Sequence, residues 1–157
     1  MRIHLVAVGT RMPAWVDSGF REYAKRLPRE CRLELVEVAP VKRAKGKDPA
    51  QGIEEEGRRL LAHLPKGART VALDERGTAH STEALAQRLE QWLHGGSDVA
   101  LLVGGADGLS AEARTAAAED WSLSPLTLPH PLVRIIIAEQ LYRAWSIIHR
   151  HPYHRAG

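Results

Sequence analysis

Leu123-Ser124-Pro125-Leu126-Thr127-Leu128-Pro129-His130-Pro131-Leu132-Val133-Arg134 runs straight into a long apolar helical pattern. Pro125, Pro129 and Pro131 fix φ at their own positions and restrict Ser124, Leu128 and His130 before them, so few backbone conformations remain. The stretch is also apolar. Leu123, Leu126 and Leu128 are poor choices for a solvated connector, so the segment lies against something and its amides and carbonyls need partners. A stiff, half-buried loop with unused backbone hydrogen bonds suits a ligand.

Downstream, residues 132–149 read as the final helix. On a helical wheel Glu139 and Arg143 share a stripe with Leu132, Ile135, Ile136 and Ile147, while Val133, Ile137, Leu141, Trp145 and Ile148 spread round the opposite side. A helix apolar nearly all round needs cover on two sides, and a homodimer interface explains the second. Glu139 and Arg143 have two readings: an ordinary i,i+4 helix pair, or a pair buried beside an active site. The tail His149-Arg150-His151-Pro152-Tyr153-His154-Arg155 is either a frayed basic end or a functional one. Imidazole accepts a proton near neutral pH, tyrosine stacks on bases and arginine holds phosphate.

Upstream, strand and helix patterns alternate. Ile3-His4-Leu5-Val6-Ala7-Val8-Gly9 reads as a buried strand ending at a glycine, and Pro13 opens a helix with Trp15, Val16, Phe20, Tyr23 and Leu27 in phase before Pro28. Leu33-Glu34-Leu35-Val36-Glu37-Val38 is strand-like. Asp48, Pro49 and Gln51 signal the start of a helix over residues 53–64, followed by a third strand at residues 69–74. Ser81 caps a helix in which Leu85, Leu89 and Trp92 share a face, and Gly95-Gly96 ends it. Val99-Ala100-Leu101-Leu102-Val103 is the fourth strand, Ser110 starts an alanine-rich helix, and Trp121-Ser122-Leu123 adds a short fifth strand. Such alternation predicts an α/β fold with a mostly parallel sheet and helices on both faces. Ligands of these sheets sit beyond the carboxyl ends of the strands, here Leu73-Asp74, Gly104-Gly105 and Leu123 onward.

The chain of 157 residues, 44% hydrophobic, fits a single domain over residues 1–157 with no internal repeat or linker. Its only cysteine, Cys31, excludes an internal disulfide and a multi-cysteine zinc site and points to an intracellular, cytoplasmic setting. Apolar runs of about five residues fall far short of the roughly twenty that cross a bilayer, so a soluble protein without a membrane partner is expected. The net charge of +3 is modest, but its distribution is not. Lys42, Arg43, Lys45 and Lys47 cluster in one loop and Arg143, His149, Arg150, His151, His154 and Arg155 near the C-terminus. Each cluster reads as a solvated surface or as a phosphate contact; two of them beside a ligand loop favour a polyanionic substrate.

Several chemistries find no support. Gly104-Gly105-Ala106-Asp107-Gly108 lacks the spacing of a dinucleotide fingerprint, and no GxxxxGK[ST] loop is present. His149, His151 and His154 lack cysteine support, and the arginines among them would repel a cation, so no metal is expected. Ser110 follows Gly108-Leu109 without a nucleophile elbow.

At Leu5-Val6-Ala7-Val8-Gly9-Thr10, Leu102-Val103-Gly104-Gly105, Leu123-Ser124, Leu126 to Arg134, Leu141-Tyr142-Arg143-Ala144-Trp145-Ser146 and His151-Pro152-Tyr153-His154-Arg155 the chain closely resembles the RlmH family of SPOUT-class ribosomal RNA methyltransferases. The likeness runs nearly end to end and is weakest over residues 41–69; Ala106-Asp107 and Pro125 look like local variants. It implies a C-terminal deep trefoil knot, which connection rules alone argue against, and a homodimer. It implies S-adenosylmethionine as methyl donor, held by Leu73, Gly104, Gly105, Leu123, Ser124, Pro125, Leu126, Thr127 and Leu128. The implied reaction is methylation of N3 of pseudouridine 1915 in 23S ribosomal RNA on assembled 70S ribosomes, in which alignment is the main task and N3 must lose its proton. His154 is the first candidate for proton acceptor and Glu139 the second; Tyr153 and Arg155 would position base and phosphate, and Arg143 would bind phosphate or hold Glu139. The resemblance also implies a tail that completes the partner subunit's pocket. A knotted transfer RNA methyltransferase and a non-catalytic ribosome- or RNA-binding protein are the competing readings.

Overall fold

The computed structural model describes residues 1–42, 45–46 and 48–155. Its strands are β1 (Arg2–Val8), β2 (Arg32–Val38), β3 (Arg69–Ala79), β4 (Val99–Val103) and β5 (Glu119–Ser122). They form one sheet in the order β2-β1-β4-β3-β5, and every pairing is parallel. Between them run α1 (Ala14–Ala24), α2 (Pro49–Ala62), α3 (Thr82–Gly95) and α4 (Ala111–Ala116), and α5 (His130–Ile148) closes the chain. The alternation read from the sequence is thus the fold.

Strand periodicity of two sorts the core into two layers. Ile3, Leu5 and Ala7 of β1 face α1, α3 and α5 together with Leu101, Phe20, Leu89, Ile137 and Leu141. Val6 and Val8 point the other way, to Leu102, Ala72, Leu60 and Ala113 under α2 and α4. Burying a side chain of this size contributes about 1.5–3 kcal/mol, so a sheet covered on both faces carries most of the stability.

The capping chemistry also matches. Asp48 Oδ1 accepts from Ala50 N with Pro49 in the first turn, Ser81 Oγ from Ala84 N, and Ser110 Oγ from Ala113 N. Gly96, at φ 75°, ends α3 in the left-handed conformation. Two helix starts differ from expectation. α2 starts at Pro49 rather than residue 53, because the Asp48 cap and Pro49 nucleate the turn ahead of the apolar pattern. α5 starts at His130 rather than residue 132, since Pro131 sits comfortably in a first turn, where no N–H partner is needed.

β3 extends past the expected residue 74. It shifts register between Leu73 and Thr78, both of which lie opposite Trp121. The excursion is held by Asp74, whose carboxylate accepts from the Arg76 amide and guanidinium. Of the basic loop, Lys42 and Lys45 lie within the described residues, whereas Arg43 and Lys47 lie outside them.

Candidate active site

Leu73, Gly104 and Leu123 meet at the carboxyl edge of the sheet. Leu73 pairs with Val103 on one side and Trp121 on the other, so the three positions close neighbouring strands in the order β4-β3-β5. After β4 the chain turns sharply. A Cβ on Gly104 would lie 2.5 Å from the Gly108 carbonyl and 2.8 Å from Leu109 N, so only glycine lets residues 104–109 fold back on themselves. Gly105 N–H and C=O lie in the same turn, its carbonyl accepting from Gly108 N at 3.0 Å. The facing loop is shaped by its serines: Ser122 Oγ donates to Ser124 O, and Ser124 Oγ accepts from Leu126 N. Thr127 Oγ1 donates to Glu75 on the β3 excursion. Pro125, Leu126 and Thr127 are exposed, Leu126 at 73%, and the backbone N–H groups of Thr127 and Leu128 have no hydrogen-bond partner among the described residues.

The second group of predicted residues gathers at the other end of α5. Arg143 Nε and Nη2 both donate to Glu139 Oε1 at 2.7 Å, and the Tyr153 hydroxyl donates to the same oxygen at 3.1 Å. Gln140 holds Glu139 Oε2. Arg143 Nη1 lies 3.3 Å from His154 Nδ1, and the guanidinium stacks 4.7 Å from the Tyr153 ring centroid. A guanidinium only donates, so His154 Nδ1 is the acceptor and Nε2 carries the proton, 3.4 Å from Glu83 Oε1. Burial and the Glu139 charge raise the Tyr153 phenol above its usual range, and Glu139 raises the Arg143 guanidinium. The Glu139–Arg143 pair is therefore both a helix pair and the centre of a side-chain network. Arg155 is exposed.

The tail reaches this network through a tight reversal. Arg150 N bonds to Ile147 O and His151 N to Ser146 O, with Arg150 at φ 53°, which is a Schellman stop with arginine in the left-handed position. Pro152 then blocks further helix, and Tyr153 packs 4.7 Å from the Tyr142 ring. Arg26 of the α1 end lies over Tyr23, Tyr142 and Tyr153 at 5.1, 5.5 and 5.9 Å.

Glu139 follows His130 by nine helical residues, roughly 13 Å along the axis. A cleft of about 280 Å³ lined by Ser122, Leu123, Ile136, Gln140, His80 and Thr82 reaches from the loop toward Glu139. A larger hollow of about 390 Å³ beside Arg114 and Asp120 contains none of the predicted residues.

Sequence reasoning missed His130 and Arg134. Arg134 is wholly buried, with Nε donating to His130 Nε2 at 3.0 Å, Nη1 to Glu37 at 2.8 Å and Nη2 to the Gly9 carbonyl at 2.9 Å. His130 Nδ1 in turn contacts Gly104 O at 3.0 Å. The signal was available: Arg134 is in phase with Ile137, Ala138 and Leu141, and a charge on a core stripe marks a buried network. Among the described residues no group of three metal-binding side chains occurs, and no helix is long and apolar enough to cross a membrane.

The five-stranded parallel sheet with helices on both faces places the chain in the α/β class. Solved structures of this fold include a probable methyltransferase from Bordetella pertussis Tohama I (TM-score 0.60, 17% identity, 90% of this chain and 93% of that one). A methylase family protein from Haemophilus influenzae Rd KW20 superposes with TM-score 0.59 at 11% identity, over 98% of this chain and 70% of that one. Residues 1–154 match the family model described as predicted SPOUT methyltransferase. The ribosomal RNA large subunit methyltransferase H of Thioalkalivibrio sulfidiphilus is 58% identical over 99% of both chains, and that of Nitrosococcus oceani 54% over 100% of both. The chain belongs to the RlmH family of SPOUT methyltransferases.

Proposed function

We propose that this protein transfers a methyl group from S-adenosylmethionine to N3 of pseudouridine 1915 in 23S ribosomal RNA, acting in the cytoplasm on assembled 70S ribosomes. The observation that carries the reading is the convergence of Leu73, Gly104 and Leu123 on neighbouring strand ends, in a chain of the RlmH family. The donor, when bound, supplies a methyl group already activated on sulfonium sulfur. Leu73, Leu123, Leu126 and Leu128 would pack the faces of its adenine, and the unpaired Thr127 and Leu128 N–H groups would meet its edge. Gly104, Gly105, Ser124 and Pro125 shape the walls.

The Glu139–Arg143–Tyr153–His154 network supplies the rest. N3 of the target would give its proton to His154 Nδ1, once Arg143 releases that lone pair, as the N3–methyl bond forms and the methyl–sulfur bond of the donor breaks; the released Arg143 guanidinium would then face the negative charge developing on the target base. Glu139, already accepting from Arg143 and Tyr153, suits orientation better than proton removal. Tyr153 and Arg155 position base and phosphate. A homodimer in which each tail meets the cradle of the other copy would join the two groups. Trp15, 54% exposed, and Leu132, 39% exposed, give α1 and α5 an apolar face for that contact. The path of α5 from edge strand β5 back across to α1 suits the trefoil knot of SPOUT enzymes.

Incubation with methyl-labelled donor and free 23S RNA, 50S subunits, 70S ribosomes or transfer RNA tests the reading. Label at N3 of pseudouridine 1915, strongest with 70S ribosomes, is expected. Label only in transfer RNA overturns the substrate, and none anywhere overturns the enzyme.

A further inference from the structure

His130 has no part in the chemistry above, yet it stands where the donor cradle meets the buried interior of α5. Its two ring nitrogens face different partners. Arg134 Nε lies 3.0 Å from Nε2, and because a guanidinium only donates, Nε2 is the acceptor and the ring proton sits on Nδ1. That proton points at the Gly104 carbonyl, 3.0 Å away. Arg134 is itself immobile: it is fully buried and its remaining groups hold Gly9 O, at the end of β1, and Glu37, near the end of β2. One chain of hydrogen bonds therefore crosses from β2 through β1 and α5 to the turn after β4.

We propose that His130 is a positioning residue for the methyl donor: its Nδ1–H orients the Gly104 carbonyl and peptide plane that the donor meets, and Arg134 holds the imidazole in the one tautomer able to do so. The inference rests on the reading of Gly104 as part of the donor site. The turn fixes Gly105 through its carbonyl, which accepts from Gly108 N, whereas the Gly104 carbonyl is held by the His130 side chain. The imidazole supplies that hold from the opposite wall. Preorganising a backbone group that a ligand contacts removes an ordering cost from binding.

Calorimetry with S-adenosylmethionine on three proteins separates this from a packing role. His130→Asn keeps a donor close to the Nδ1 position, and its Kd is expected to stay within about threefold of wild type. His130→Gln keeps an acceptor for Arg134 but loses the donor to Gly104, and its Kd is expected to rise about tenfold, the size of one hydrogen bond. Equal affinity in all three proteins overturns the proposal, as does equal weakening in both variants. Absence of binding by wild type instead removes the donor reading itself. Long-range proton–nitrogen NMR of the wild-type ring needs no variant: a neutral Nδ1–H tautomer at neutral pH, with an Nδ1 resonance that moves on adding S-adenosylmethionine, is expected. An Nε2–H tautomer, or a ring indifferent to the donor, overturns it.

Discussion

The two ends of α5 use arginine in opposite ways. Near its amino terminus Arg134 is completely buried, and three of its N–H groups are fixed by a backbone carbonyl, a carboxylate and an imidazole in contact with no flexible partner. Near its carboxyl terminus the Arg143 side chain is 27% exposed and shares one carboxylate oxygen with a phenol. A buried cation with its partners in place fixes geometry, because moving it would strand charges out of water. A half-exposed cation in a shared network keeps partners it can exchange, which is what holding a phosphate or steadying a proton transfer requires. The first end is fixed in place; the second can exchange partners.

If that division holds, damage at the amino-terminal end shows in donor binding or stability and damage at the other end in turnover. The largest effect is expected from Gly104→Val, whose side chain would displace the Gly108–Leu109 backbone and leave no donor binding measurable by calorimetry. Next comes Arg134→Met, which leaves the Gly9 carbonyl and the His130 ring nitrogen without their donor while the exposed Glu37 carboxylate returns to water, and is expected to cost about 1–3 kcal/mol of stability in denaturant unfolding. His154→Ala should lower kcat at saturating donor about a hundredfold while leaving donor Kd unchanged. Unchanged turnover would remove His154 as proton acceptor and blur the contrast.

Two smaller effects sharpen it. Burial, reinforced by Arg134, lowers the His130 pKa below its ordinary 6.5, while the Gly104 bond and Glu37 oppose this. The folded state thus favours neutral imidazole: its contribution is complete above pH 6.5 and is lost as pH falls through the depressed value. Melting curves at pH 7 and pH 5 should therefore differ less in His130→Gln than in wild type. Smallest is Arg150→Gly, which relieves a left-handed arginine and should stabilise the protein by about 1 kcal/mol without touching donor affinity.

The strands and caps were readable because each depends on local chemistry: Asp48, Ser81 and Ser110 cap, Gly96 stops, β4 is a continuous apolar run and β1 is one interrupted only by His4 after Arg2. The convergence of Leu73, Gly104 and Leu123 followed from the parallel alternation alone. The Leu73-to-Thr78 excursion was not readable, since Asp74 and Gly77 look like an ordinary strand end until Trp121 is seen opposite both sides. Arg134 stands out on the core stripe of α5, but what it and His130 hold does not. Their partners, Gly104, Glu37 and Gly9, are distant in sequence, and no spacing along α5 reveals them.

The sheet order makes the chain its own completeness check. Ile3 takes its first neighbour at Leu33 but its second only at Val99, and the Gly9 carbonyl waits for Arg134. At roughly 5–20 residues per second of synthesis, β1 stays half-paired on the order of ten seconds after it emerges. A truncated product lacking α5 would leave that carbonyl and the apolar face of α1 open.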